Sequence, residues 1–513
     1  MSDSRTIRQV TLGTPISLTQ FMAVCRYHAQ VEFSPEYRRR VRQSRNLVEQ
    51  WVAEGASIYG TTTGFGVLCD RVISREEAAQ LQVNLVRSDA ASVGKPLNEE
   101  QCRAVMLMML QNTGLGFSGI QPEVQELLRQ FLNRGLTPWA PREGSVGYLT
   151  VEASIALVLF AEGKAYWNGQ LMEGRAALAA AGLTPISLSY KDGLALLDGT
   201  TSATALGAIA LFDMLQAARS ADVIAALSVE TLKGLVRHFD PRVCDVRPHP
   251  TQRDVAENLR RILAGSEVIK EAEGSHIQDA LSLRCVPQLH GAARKLLSDA
   301  LETFEIELNS CTDNPILWTD GERGEAISAC NSDSAFVGMS IDSCCIAATG
   351  IARMSERRNN RMVDGNLSGY SWFLVRDAGL NCGLMVPQYT QAGLINEMKI
   401  LSHPATVDGV PTCGNQEDYV AMGYNAGKKA IKVAEKLEYV LAIELLSCFQ
   451  GQEFMDTQAR RSPVSQRLYA EIGRHVPVFE HDVYLYPYIE YLRDLIHSGD
   501  LLAITEREIG GLK

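Results

Sequence analysis

The sequence predicts an all-α, mainly helical protein, and three observations carry that prediction. The first is apolar periodicity: in 292–309, Leu296, Leu297, Ala300, Leu301, Phe304 and Leu308 recur at spacings of three and four. The second is its repetition in 429–448, where Ile431, Ala434, Leu437, Val440, Leu441, Glu444 and Leu445 form one stripe with charges opposite. The third is a long apolar stretch from Thr201 to Leu232, interrupted by Asp213, Arg219, Asp222 and Glu230. Those charges argue against a membrane span and for a buried helix. Helices of this length need partner helices, so a bundle is expected.

The 513 residues allow a core of good size. Composition alone suggests an ordinary soluble globular chain, 46% hydrophobic and 21% charged. A net charge of −11 argues against nucleic acid or an anionic membrane as the main partner. The opening residues, MSDSRTIRQV, lack the apolar core of a signal peptide. Twelve cysteines show no CxxC or Cys/His metal spacing. The expectation is a cytoplasmic protein with reduced thiols, most of them small core residues, and no metal.

Gly-rich and polar segments at 60–66, 114–119, 142–150, 363–371 and 410–416 interrupt the helices. Loops on a rigid helical frame are where chemistry usually sits. Segment 60–66 is a candidate lid.

These loops carry motifs. They begin at Ile58-Tyr59-Gly60-Thr61-Thr62-Thr63-Gly64-Phe65-Gly66 and continue through Gly144-Ser145-Val146-Gly147 and Gly193-Leu194-Ala195-Leu196-Leu197-Asp198-Gly199-Thr200. Ser282-Leu283-Arg284-Cys285, Thr312-Asp313-Asn314-Pro315, Ser355-Glu356-Arg357-Arg358 and Gln416-Glu417-Asp418 follow in order. In these motifs the chain resembles the histidine/aromatic amino-acid ammonia-lyases over roughly residues 9–505. The resemblance implies an ammonia-lyase/fumarase-like long helical bundle with a loop-rich N-terminal active-site region. It implies residues 1–205 as that region and 206–513 as the long-helix bundle, in one intertwined unit. It also implies a homotetramer with active sites built from three subunits.

One family motif is missing. Gly-Ser-Val-Gly should be followed by Ala-Ser-Gly, which cyclises and dehydrates to methylidene-imidazolone, the electrophile that captures the substrate amine. Here the positions read Tyr148-Leu149-Thr150. Leu149 has no hydroxyl to lose, and β-branched Thr150 resists the turn that glycine permits. No prosthetic group or other cofactor is therefore expected.

The resemblance assigns roles to the residues that remain. Tyr59 matches the proton-abstracting tyrosine, and Glu417 the glutamate that histidine-using members place near the imidazole; both are candidate catalytic residues. Arg284 matches the arginine that grips the substrate carboxylate, a bidentate task suited to guanidinium. Asn314 matches a supporting amide, with a structural turn role as its alternative. Three acids depart from the family pattern. Asp89 stands where a histidine often reads the substrate side chain, Asp198 replaces the asparagine of Asn-Gly-Thr, and Asp333 falls in Asn331-Ser332-Asp333 where the family has Asn-Phe-His. Each has a paired or solvated carboxylate as its alternative. Tyr148 and Asp198 would line the vacated corner and suit a cation. A quaternary ammonium needs no electrophile, so the pattern resembles the ergothionase branch. That branch implies an elimination of trimethylamine from ergothioneine, giving thiourocanate. Two alternatives stand beside it: a lyase or cyclase of the same fold on another cationic amino acid, and a silent homologue that only binds ligand or subunits.

Overall fold

The computed structural model describes residues 4–319 and 324–513. Helices dominate. The principal ones are α1 (Pro35–Glu54), α2 (Arg75–Asp89), α3 (Glu99–Gly114), α4 (Thr150–Leu159), α5 (Asp192–Leu197), α6 (Thr201–Thr231), α7 (Val286–Glu307), α8 (Ala335–Val363), α9 (Met385–Leu401) and α10 (Gly423–Gly451). Strands are short and sit in two- or three-stranded pieces; Gln9–Leu12 pairs in parallel with Gln30–Phe33, for example.

Local sequence signals set the helix ends. Ser34 caps α1 through its hydroxyl, with Pro35 at the first position and Gly55 closing the helix in the left-handed conformation. Asn98 and Gln101 form a reciprocal capping box at α3.

The chain forms two compact units that are not consecutive in sequence. The first comprises Met1–Phe212, Ala300–Asp342 and Pro404–Lys429; the second comprises Asp213–Asp299, Ser343–His403 and Ala430–Lys513. A division near 205 into two successive halves misses this. The long helices α6, α7 and α10 each pass from one unit to the other, so the chain returns to the first unit twice after leaving it.

The periodic stripes are largely core. On α7, Leu297, Ala300 and Phe304 are buried, as is Leu308 just beyond it, whereas Leu296 is 39% exposed. Leu296 instead lines an apolar hollow of about 790 Å³ in the second unit with Ile346, Ala392 and Ile395. The apolar stretch of α6 is fully buried, and its charges are partnered within the second unit. Arg219 meets Glu506 at 2.5 Å, Asp222 meets His290 at 2.8 Å, and Glu230 accepts from the Ser462 amide at 2.7 Å. In the first unit α6 and α10 approach closely: a Cβ at Gly427 would lie 3.0 Å from the Gly207 nitrogen.

The one acid within the 429–448 stripe, Glu444, is completely buried. Arg358 of α8, equally buried, donates to both its oxygens at 2.5 and 2.9 Å, and Ser228 donates at 2.6 Å. A buried charge persists only when paired in this way. Arg358→Met, which leaves Glu444 unpaired, is expected to destabilise the protein by about 3–5 kcal/mol. Thermal unfolding checks this, and most of the loss should return in Arg358→Met/Glu444→Leu.

Candidate active site

The site is built from loops of the first unit. Residues 58–63 are pinned by their own threonines. Thr62 accepts from the Ile58 amide at 2.9 Å and donates to the Ala56 carbonyl at 2.7 Å, while Thr63 accepts from the Gly60 amide at 3.1 Å. Gln82 of α2 donates to the Gly60 carbonyl at 2.9 Å. Thr61, Thr62 and Thr63 are buried, so the front half of the expected lid is part of the frame.

These contacts present Tyr59, half-buried, whose hydroxyl oxygen accepts from the Gly66 amide at 3.0 Å. Burial raises the phenol above its ordinary value; the Gly66 amide opposes this, and Asp198, Cys413 and Glu417 add to it. The carboxylates of Asp198 and Glu417 therefore lie close enough to Tyr59 to disfavour its phenolate.

Asp198 closes the C-terminal end of α5. It is buried and accepts from the Gly199 amide at 3.0 Å and from the Ser332 side chain. Burial, then the negative charge of Asp313, raises its carboxyl to about 7, with Lys191 opposing. Lys191 reaches both oxygens of Asp313 at 3.0 Å, and neither side chain is exposed. Asp313 takes both contacts of the cation; burial raises its carboxyl as well, so Asp198 and Asp313 titrate together and not independently.

Glu417 lies on a small loop closed by backbone bonds between Thr412 and Glu417. Its carboxylate accepts from the Thr412 hydroxyl at 2.7 Å and from the Tyr148 hydroxyl at 3.2 Å. The tyrosine at the vacated position is therefore tied to the glutamate, and burial followed by the Glu417 charge raises its phenol. Asp89, the last residue of α2, is partly buried; burial raises its carboxyl, Ser88 opposes, and Glu417 adds to the rise. Tyr59, Asp89, Tyr148, Asp198 and Glu417 accordingly share one electrostatic neighbourhood.

The other predicted residues have different surroundings. The Asn314 side-chain oxygen accepts from the Ala329 amide at 3.0 Å, which holds a hairpin. Asp333 accepts from the Ala335 amide at 2.9 Å at the start of α8. Arg284 belongs to the second unit, where its Nε donates to the Asp279 carbonyl at 3.0 Å.

Sequence reasoning missed Ser332, the donor to Asp198, although it stands in the departing Asn331-Ser332-Asp333 triplet. It also missed two cysteines. All twelve are free thiols, but Cys330, Cys382 and Cys413 are exposed rather than core, and the first and last of these border the site. Cys413 abuts Gly66, where an added Cβ would overlap its sulfur. Cys330 feels Asp333, Asp198 and Glu417.

The residues at 148–150 do not fit a methylidene-imidazolone. Leu149 carries no β-oxygen, Thr150 opens α4, and the Tyr148 hydroxyl is committed to Glu417. For a metal, Asp213, Glu438 and His497 of the second unit gather among the described residues. Arg493 and His497 already neutralise Glu438 at 3.4 and 2.8 Å, so ion pairing accounts for that group.

A family model described as aromatic amino acid lyase matches residues 16–474. The histidine ammonia-lyase of Symbiobacterium thermophilum is 41% identical over 507 residues, 98% of this chain and 99% of the relative. That of Alkaliphilus oremlandii is 39% identical, covering 97% and 98%. Among solved structures, histidine ammonia-lyase from Trypanosoma cruzi matches with a TM-score of 0.91 at 32% identity, over 98% of this chain and 96% of that one. Ergothionase from Treponema denticola matches with a TM-score of 0.89 at 26% identity, over 96% and 99%. These findings overturn the ergothioneine expectation: relatives at 37–41% identity over nearly the whole chain are histidine ammonia-lyases. The missing tripeptide and the cation-attracting corner of Tyr148 and Asp198 suit an ammonium as well as a quaternary amine, so they do not fix the leaving group.

Tyr148→Phe removes one of the two side-chain bonds that fix Glu417. Amide hydrogen exchange across 412–417 is expected to quicken about threefold to tenfold, as for one lost hydrogen bond. Exchange in α6 should not change.

Proposed function

The chain belongs to the aromatic amino acid lyase family, whose members are carbon–nitrogen lyases, and from that premise we propose that it releases ammonia from an amino acid of the histidine class without an imidazolone electrophile. The observation that carries this reading is the pair of acids Asp198 and Glu417 beside Tyr59, with Asp89 next to Glu417, at the corner where the electrophile is replaced by Tyr148.

An α-ammonium group is already a competent leaving group once its β-carbon can give up a proton. Asp198, ionised, pairs with that ammonium, and the Tyr148 ring supplies a face for it. Glu417 and Asp89 accept the side-chain N–H groups and favour the imidazolium form. A positively charged ring withdraws electrons from the β-carbon and makes its proton more acidic. Tyr59 takes that proton. The C–H electrons become the new double bond, and the C–N electrons leave with neutral ammonia. The surrounding carboxylates disfavour the Tyr59 phenolate in the free protein. Bound substrate sets two cationic groups against that field, so Tyr59 releases its phenolic proton to solvent as substrate binds and then acts as the base.

The carboxylate of the substrate needs a cation. Arg284 is the family's candidate, and the resemblance implies active sites built from three subunits. We infer that a second copy of the chain supplies it, within a homotetramer. Tyr59→Phe and Arg284→Ala should each reduce ammonia release from histidine at least 100-fold. Mixing the two inactive variants and allowing subunit exchange should restore part of the activity. An unaffected Tyr59→Phe, or a native protein that binds histidine but releases no ammonia, rejects the lyase reading.

The state of Asp198 sets a pH dependence. Its carboxyl is raised to about 7, so below that pH it is neutral and cannot pair with a cation. Asp198→Asn removes the pairing at every pH. The ratio of variant to native KM should therefore rise roughly fivefold from pH 6 to pH 7, about tenfold in all from pH 6 to pH 8, and flatten above that. Taking the ratio cancels the titration of the substrate itself.

A further inference from the structure

The end of the chain adds three helices to the second unit: α11 (Pro463–Ile472), α12 (Tyr486–His497) and α13 (Asp500–Ile509). Each turns one stripe of side chains to a common hollow of about 590 Å³. Along α12 and its C-cap the stripe is Tyr491, Asp494, Leu495 and Ser498. Along α13 it is Asp500, Ala503, Ile504 and Arg507. Both run at i, i+3, i+4 and i+7, the spacing of one helix face. Arg467 and Glu471 come from α11, and Arg474 and His475 from the residues that follow it. Hollows of about 300–1,000 Å³ are the size that takes small organic ligands. This one shares no residue with the candidate active site.

Leu495 and Ile504 are buried and give the hollow an apolar floor. The His475 ring stacks on Tyr491, with centroids 4.5 Å apart and planes inclined by 27°. The lining acids are already compensated. Glu471 meets Arg474 at 2.7 Å, and Asp494 meets Arg493 at 2.6 Å. Asp500 accepts from the Ser498 hydroxyl at 3.0 Å, in the first turn of α13, where a helix favours negative charge. Arg467 and Arg507 differ from these. Both are exposed, and neither forms a hydrogen bond or ion pair with any described residue. One solvated arginine is ordinary on a protein surface. Here two open on one hollow, beside a stacked ring pair and an apolar floor.

We propose that this hollow binds a small planar aromatic carboxylate. The guanidiniums of Arg467 and Arg507 supply forked donors for the carboxylate. The aromatic ring lies against the His475–Tyr491 stack and the floor of Leu495 and Ile504. An anion without a ring leaves the stack and floor unused, and a ring without a charge leaves both arginines unanswered. The unsaturated ring-bearing acid that the proposed elimination would form belongs to this class. The inference does not rest on that reaction, because no residue of the hollow takes part in it.

The test is calorimetric titration with trans-cinnamate, and with acetate, inorganic phosphate and benzyl alcohol as partial mimics. It is run in an Arg284→Ala background, which removes the carboxylate partner of the candidate active site, and then with Arg467→Gln/Arg507→Gln or Tyr491→Leu added. Cinnamate is expected to bind, and the double arginine exchange should weaken it about tenfold or more. Tyr491→Leu should weaken it about threefold to tenfold. The two arginines hold no other group, so their exchange should leave the circular dichroism unchanged. Absence of cinnamate binding overturns the proposal, as does an affinity that the arginine exchanges leave unchanged. Acetate, phosphate or benzyl alcohol binding as tightly as cinnamate also overturns it. A protein that proves inactive on histidine leaves these expectations as they are.

Discussion

Lys191 and Asp313 are both stripped of water and meet in a two-oxygen ion pair, and the candidate site is arranged around that pair. Removing both groups from solvent costs several kcal/mol each, which only tight pairing offsets. The consequence falls on the third charged neighbour. Asp198 is buried beside them with no cation left to itself, so it holds its proton to about pH 7. A carboxyl that titrates near neutrality, at the corner where related enzymes carry an electrophile, is a group that charges readily and attracts a cation.

The rest of the site adapts to the same corner. Tyr148 extends from the turn to Glu417, and Thr412 fixes Glu417 from the other side. Ser332 donates to Asp198 where the family pattern has an apolar ring. The departures at 198 and 332 thus contact each other, and the negative charges of Asp198 and Glu417 both act on Tyr148.

Much of the fold was legible because it rests on local rules. Helical stripes, caps and the buried helix at 201–231 follow from spacing and from the side chains at helix ends. The two interleaved units were not legible, since which segments return to the first unit is decided by long-range packing. Within the site, Tyr59, Glu417 and the Tyr148-Leu149-Thr150 departure were readable because each sits in a motif with a defined chemical demand. Ser332 was overlooked because its acidic neighbour Asp333 drew the assignment, yet Asp333 accepts from the Ala335 amide just before α8. Substrate identity was the least legible feature. It depends on which group occupies a cation-attracting corner, and charge alone does not separate an ammonium from a quaternary amine.

The account's central claim is carbon–nitrogen bond cleavage without a protein-derived electrophile. The most direct test is ammonia release from histidine before and after treatment of the native protein with sodium borohydride, which destroys such an electrophile by hydride addition. Unchanged turnover after treatment is the predicted result. Loss of turnover, with the substrate-protected protein spared, would contradict the claim and show that an electrophile had formed by some route other than the dehydration of residue 149.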